Sequence, residues 1–393
     1  MRAGARAITT RPVLAGALVV VAVGVMGVLY VVYGDDHSDI GSYHHYALAF
    51  FFPDGPARHL PIEYPPLALL PFSATLIPLG IDYGAAFTLV MALVFLGSCV
   101  VVARTAPPSV ARAYVVYMLL AGPLTLLGRY DLVTTLVVLG AIVAARRGRW
   151  PLAYALLALA VLLKLYPVIL LPVFAIEQWK TARGRLWAPP AIFGLLVLAG
   201  FGAAALVDPP GWLSPFRYAL QRPVESESVP ATALWLLSGL GSPGRLVHSF
   251  NSANVLSPTA TVVAALSPIA LAAGCVAVYV RHLTGRLSLG QACVACLAVV
   301  LVCSKVFSPQ YLIWVLPLVA FEVGLDPLWI GVCVLTFLVY PVLFELTGLD
   351  APFQATEFKP VFLTTVAIRN GLLLIAAWRA LRGQAGAPAV ATR

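Results

Sequence analysis

The sequence predicts an all-α polytopic membrane protein, and three observations carry that prediction. Of 393 residues, 61% are hydrophobic and only 10% are charged, whereas about a quarter of the residues of a soluble domain carry charge. The mean hydropathy is +0.93. Apolar runs recur along the whole chain, with basic residues gathered in short clusters between them. That distribution argues against nucleic acid as a partner despite a net charge of +9, because such clusters set topology and do not build a basic face.

The first run, "PVLAGALVVVAVGVMGVLYVVY", is long enough to cross a bilayer and no small-residue cleavage site follows it, so it reads as a retained helix and not a signal peptide. With it as 13–33, further apolar segments at 84–103, 113–128, 131–145, 151–163, 165–178, 187–207, 258–280, 288–303, 310–323, 328–345 and 361–381 make twelve crossings. A cytoplasmic N-terminus puts 16 of the 25 basic residues on that side with only three acids, Glu177, Glu322 and Asp326, as the positive-inside bias requires. The short N- and C-terminal tails are then cytoplasmic. Outer loops 34–64 and 208–257 carry His37, His44, His45, His59 and His248. Neither loop has the length of a separate domain, so 1–393 reads as a single integral membrane domain with its loops packed on the outer face, at the cell membrane. The six cysteines sit inside apolar runs, and Cys293 and Cys296 lack the second ligand pair of a zinc site, so they read as small core residues.

Three hairpins carry a cation at the tip. Residues 151–178 must cross twice if "RRGR" and "KTARGR" share a side, which leaves legs of about 14 residues, or about 21 Å, against a hydrocarbon core of about 30 Å. Their turn, "LLKLYP", is therefore expected to sink into the outer leaflet and to line a protein-walled cavity, with Lys164 facing inward. "LLGRYD" repeats the pattern with Arg129 and Asp131, and "SKVFSPQY" with Lys305. In the last helix, "VAIRNG" sets Arg369 about 12 Å along the axis from the outer end. A cation at membrane depth costs about 2.5 to 3.5 kcal/mol. Each alone also reads as a snorkelling side chain, but four around one leaflet ask for an anion. Asp131 is the only acid within these tips, so a bound phosphate is the simplest partner.

After the first helix, "SDIGSYHHYALAFF" is expected to form a helix along the outer surface, with Ser38 as N-cap and Asp39, Tyr43, Tyr46 and Phe50 on one face. "IEYPPLALLPF" then returns the chain, Pro65 and Pro66 making 64–80 a surface or re-entrant segment. An aspartate beside a phosphate site at a membrane surface suits glycosyl transfer from a lipid-phosphate sugar. Such a donor brings its own leaving group and needs no glycine-rich nucleotide loop, which the sequence lacks. A carboxylate takes the proton of an attacking hydroxyl while cations stabilise the departing phosphate.

The succession "DIGSY", "EYPP", "RYD", "KLYP" and "SKVFSPQYLIWVLP" resembles family 87 of the glycosyltransferases, the polyprenyl-phosphate-mannose-dependent α-mannosyltransferases of the GT-C membrane fold. The likeness runs from about residue 13 to 380, with "KLYP" and "SPQYLIW" its more specific pieces. It implies a GT-C-type bundle of about twelve transmembrane helices, an outer-face cavity, surface helices in the first outer loop and an inverting hexosyltransferase. The donor is a polyprenyl-phosphate sugar, with mannose implied and arabinose or glucose open, and the acceptor a cell-envelope glycolipid or lipoglycan. Asp39, four positions before Tyr43, matches the catalytic acid. Lys164, Lys305, Arg129 and Arg369 are the donor-phosphate candidates. Tyr43, Glu63, Tyr64, Asp131, Tyr166, Gln310, Tyr311 and His248 are candidates for substrate contact, and no cofactor or metal is implied. "GRYD" departs from the Gly, Gln and Asn of many relatives, which puts specificity in question. Competing readings are a divalent metal held by Asp35, Asp36 and His37 in "DDHSD", solvated roles for those two acids, an ordinary surface role for His248, and a cap or sugar contact at Glu63. For the whole chain the competitor is a transporter or flippase of an anionic lipid-linked substrate, although no internal repeat supports it.

Overall fold

The computed structural model describes residues 39–53, 55, 57–76, 82–182, 188–241, 243–349 and 354–384, together with Gly24. The first apolar run apart from Gly24, the acids Asp35 and Asp36, His37 and the expected Ser38 cap lie outside the described residues. Beyond them the apolar segments are helical. Five helices among the described residues are long and apolar enough to cross a membrane: Tyr83–Thr105, Ala188–Val207, Ala260–Leu283, Pro327–Thr347 and Pro360–Leu381. Proline in the first turn starts several helices, including Trp150–Leu163 and Pro360–Leu381, where its missing N–H costs no intrahelical bond.

The expected short hairpin legs are present. Trp150–Leu163 has 14 residues and Leu289–Cys303 has 15. Each ends in an extended residue, Lys164 and Ser304, and the chain resumes through a tight 3-10 turn, Tyr166–Leu170 or Pro309–Tyr311, before Leu171–Thr181 and Leu312–Glu322. The proline in each turn fixes φ and breaks the helical ladder where the cation sits.

The chain divides into two compact units, one within 15–104 and 124–221, the other within 105–123 and 222–393. The first unit is built on a cluster of Ile40, Tyr43, Tyr64, Phe72, Phe87 and Tyr130. The Ile40–Phe51 helix lays Ile40, Tyr43 and Ala47 into this cluster, with Tyr46 and Phe50 at its edge; the spacing anticipated Tyr43, Tyr46 and Phe50 on this side but not Ile40 or Ala47. Of the 64–80 segment, read as surface or re-entrant, residues 64–76 are described, and Ala68, Leu69, Pro71 and Phe72 are buried, because the short Leu69–Ser73 helix turns its apolar side into the same cluster. Ala188–Val207 packs on Trp150–Leu163, and Gly200 permits the approach, since a Cβ there would lie 2.6 Å from a Leu162 methyl.

In the second unit a small sheet accompanies the helices. Residues 208–257, read as an outer loop, contain the Val229–Ser238 helix and two strands, β1 (Arg245–Ser249) and β2 (Ser252–Leu256), to which β3 (Thr356–Glu357) adds in the order β2-β1-β3, all antiparallel. The β1–β2 hairpin turns through Phe250 and Asn251, both at φ 53°, the left-handed conformation that a two-residue turn of matching twist demands. The sheet buries Leu246, Ala253 and Val255 against Val224, Ala231, Leu234, Val339 and Phe362. Residues 208–257 read from the sequence only as a loop, because the partners of their apolar residues lie elsewhere in the chain. Of the six cysteines, all free, five are buried.

Candidate active site

The first unit collects most of the expected site. Asp39 occupies the N-cap position of Ile40–Phe51 without capping it. Its Oδ2 instead forms an ion pair with Arg129 and accepts a hydrogen bond of 3.2 Å from the Tyr64 hydroxyl. The side chains of Arg129 and Asp39 are 13% and 17% exposed, so the pair is largely withdrawn from water yet reachable. Two positions on, Asp131 opens the Asp131–Arg146 helix, where the helix dipole favours a carboxylate. Its Oδ1 accepts a 2.6 Å charge-assisted bond from Lys164 Nζ.

Aromatic rings enclose both pairs. Lys164 Nζ lies 4.9 Å from the centre of the Tyr130 ring and 5.7 Å from that of Tyr64, distances at which ring quadrupoles attract a cation. Tyr43, Tyr64 and Tyr130 meet edge to face at 5.5–5.7 Å, and Tyr43 stacks on Phe72 at 4.3 Å. The Tyr130 hydroxyl donates to the carbonyl of Leu163, directly before Lys164. This bond ties the two hairpin tips together. Tyr166 contacts Thr135 at 3.4 Å, and the Tyr46 hydroxyl reaches Glu63 Oε1 at 3.4 Å. Burial and the Glu63 carboxylate push the Tyr46 phenol well above its usual range, so it acts as a hydrogen-bond donor.

Lys305, Gln310, Tyr311, Arg369 and His248 belong to the second unit. There the structure reveals a constellation not anticipated from the sequence. Arg369, fully buried, donates 2.7 Å to the Glu227 carbonyl, stands 3.6 Å from its carboxylate and packs 3.8 Å over the Phe307 ring. Asn370 also donates to the Glu227 carbonyl and to Thr232 Oγ1. Burial, which outweighs the attraction of Arg369, pushes the Glu227 carboxyl up to about 8. Arg222 lies 3.5 Å from Glu225, whose N–H donates to the Lys305 carbonyl. Gln310 accepts from Ser308 at 2.6 Å, Tyr311 stacks on Trp314 at 3.9 Å, and half-buried His248 sits in β1 opposite Ala253.

Arg129, Lys164 and Arg369 thus each lie beside an acid of this chain, the first two in ion pairs and Arg369 against a Glu227 carboxyl that burial keeps protonated up to about 8. Two of those acids, Asp39 and Glu227, lie far from the tips in sequence, and charge balance alone does not demand a phosphate. The signal for the second was "VESES", two acids next to a proline-started helix that Ser228 caps by accepting from the Ala231 N–H.

Apolar helices of spanning length, short hairpins and buried ion pairs at their tips define a polytopic helical membrane protein with a polar site inside it. The model of Glycosyltransferase family 87 matches residues 63–309, more than half of the chain, and the protein belongs to that family: it is a membrane glycosyltransferase. Arg129, Asp131, Lys164 and Lys305 fall inside the matched span, whereas Asp39, Tyr43, Gln310, Tyr311 and Arg369 fall outside it. No curated protein and no solved structure matches the chain.

Proposed function

We propose that the protein moves a hexose, mannose, from a polyprenyl-phosphate donor to a cell-envelope glycolipid or lipoglycan, with inversion, on the outer face of the membrane. The architecture proposed with it is a GT-C bundle of about twelve crossings forming one membrane domain around an outer-face cavity. Asp39 is the base. The acceptor hydroxyl attacks the anomeric carbon, its proton passes to the Asp39 carboxylate, the anomeric carbon–oxygen bond to phosphate breaks, and polyprenyl phosphate leaves. Lys164 and Arg129 offset the charge that develops on the leaving phosphate, and no metal or cofactor enters the scheme. The observation that carries this reading is the Asp39 carboxylate fixed by Arg129 and Tyr64, in the same aromatic enclosure as the Lys164–Asp131 pair. A base, a cation and apolar walls are what such a transfer requires, and all of them lie in one unit. The roles read for Lys305 and Arg369 at the donor phosphate are not needed for it.

Purified protein, labelled polyprenyl-phosphate mannose and a crude envelope lipid extract provide the test. A labelled glycolipid or lipoglycan of inverted anomeric configuration is expected. Absence of any transfer from this donor, with transfer from another lipid-linked or nucleotide sugar, would refute the assignment.

A further inference from the structure

We propose that a cleft in the first unit, beside the Asp39 enclosure, receives the sugar headgroup of the acceptor; this deepens the transferase reading above and rests on it. The cleft has a volume of about 850 Å³ and is bounded by the end of the Ile40–Phe51 helix, the chain that follows it and the start of the 208–221 segment. Its size falls in the range of about 300 to 1,000 Å³ typical of small-molecule sites. Tyr46 and Phe52 offer ring surface for the C–H face of a pyranose, and His45, His59 and Ser214 offer hydrogen-bonding groups for its hydroxyls.

Charge decides which substrate the cleft takes. Among its described lining residues there is no lysine or arginine, so a lipid phosphate would find no permanent counter-charge there, while a neutral sugar loses nothing. Its one carboxylate, Asp208, is buried and already engaged: Oδ2 accepts the Leu60 N–H at 2.9 Å and Oδ1 the Gly211 N–H at 3.1 Å. Asp208 therefore ties together two walls 148 positions apart in sequence and fixes the distance between them.

A short relay joins the cleft to the base. Tyr46 lines the cleft, bonds Glu63 and meets the Tyr64 ring edge to face at 6.3 Å, and the Tyr64 hydroxyl in turn bonds Asp39. A headgroup entering over Tyr46 is thus two rings short of the carboxylate, and its reacting hydroxyl passes beyond Tyr46 to come within hydrogen-bond reach of Asp39.

The test uses the full-length, detergent-solubilised protein and octyl α-mannoside carrying a diazirine on its alkyl chain. Photolabel is expected on peptides spanning 45–62 and 208–214, competed by octyl α-mannoside but not by octanol, and reduced at least about tenfold, or about 1.4 kcal/mol, by Ser214→Trp, which fills the cleft. Competable label confined to other peptides, label equally competed by octanol, or label unchanged in Ser214→Trp would overturn the proposal. Transfer from labelled polyprenyl-phosphate mannose to octyl α-mannoside, run in parallel, separates the two readings. Cleft labelling without any transfer sinks the donor assignment and leaves the cleft standing. Transfer with an unaltered acceptor KM in Ser214→Trp sinks the cleft alone.

Discussion

Replacing Asp39 by Asn removes the proposed base while keeping its size. The amide oxygen still accepts from the Tyr64 hydroxyl, 3.2 Å from Oδ2 in the native site, whereas Arg129 loses its charged acceptor. Hydrogen bonds to charged groups are worth about 1.5 to 3 kcal/mol, and side chains only 13% and 17% exposed place this pair above the value below about 1 kcal/mol typical of surface ion pairs. The variant is therefore expected to melt lower by that order and still fold. The catalytic loss is larger. A positioned base contributes about 10² to 10⁴ in rate, or about 2.7 to 5.5 kcal/mol at 1.36 kcal/mol per tenfold. Asp39→Glu returns the carboxylate about 1 Å out of place, which costs on the order of 10². Initial rates of label transfer, normalised to monodisperse protein by size-exclusion chromatography, decide the matter. Asn activity within about threefold of wild type, well under the span expected for a base, would remove Asp39 from the role.

Further outcomes follow from the other pairs. Lys164→Met leaves Asp131, whose side chain is fully buried, without its counter-charge at a cost of about 3 to 5 kcal/mol; adding Asp131→Leu should recover most of the melting temperature but not the donor affinity, and unchanged donor KM in both variants would count against a phosphate contact. Glu227, whose carboxyl is raised from 4.5 to about 8, holds its proton in the native state where the unfolded chain has lost it, so stability is greatest below about 4.5 and declines as pH rises to about 8, by at most about 1.4 kcal/mol per pH unit. Thermal melts of wild type across pH 5 to 8, an interval bracketed by those two values, should slope downward, and Glu227→Gln should flatten the slope; equal slopes would refute the burial argument. Asp208→Ala orphans the Leu60 N–H at a cost of about 1 to 3 kcal/mol, read as faster amide hydrogen exchange over 57–62. Gly211→Ala should do the same, because its Cβ would lie 2.1 Å from Asp208 Oδ2; exchange as slow as wild type in both would show that the carboxylate holds nothing.

The sequence by itself determined what local chemistry and counting determine. Hydropathy marked the helices, because a spanning segment must satisfy its own backbone within apolar surroundings. Leg length marked short hairpins with Lys164 and Lys305 at their tips, and the spacing from Asp39 to Phe50 put Tyr43, Tyr46 and Phe50 on one side of the Ile40–Phe51 helix, the side that meets the aromatic cluster. Only the tertiary structure decided which charges meet. Arg129 pairs with Asp39 and Arg369 stands beside Glu227 across 90 and 142 positions, distances at which no periodicity survives, and the hairpin of 245–256 buries its apolar residues only against partners elsewhere in the chain. A helix is written in neighbouring residues, whereas an ion pair or a cleft is written in whichever segments packing brings side by side.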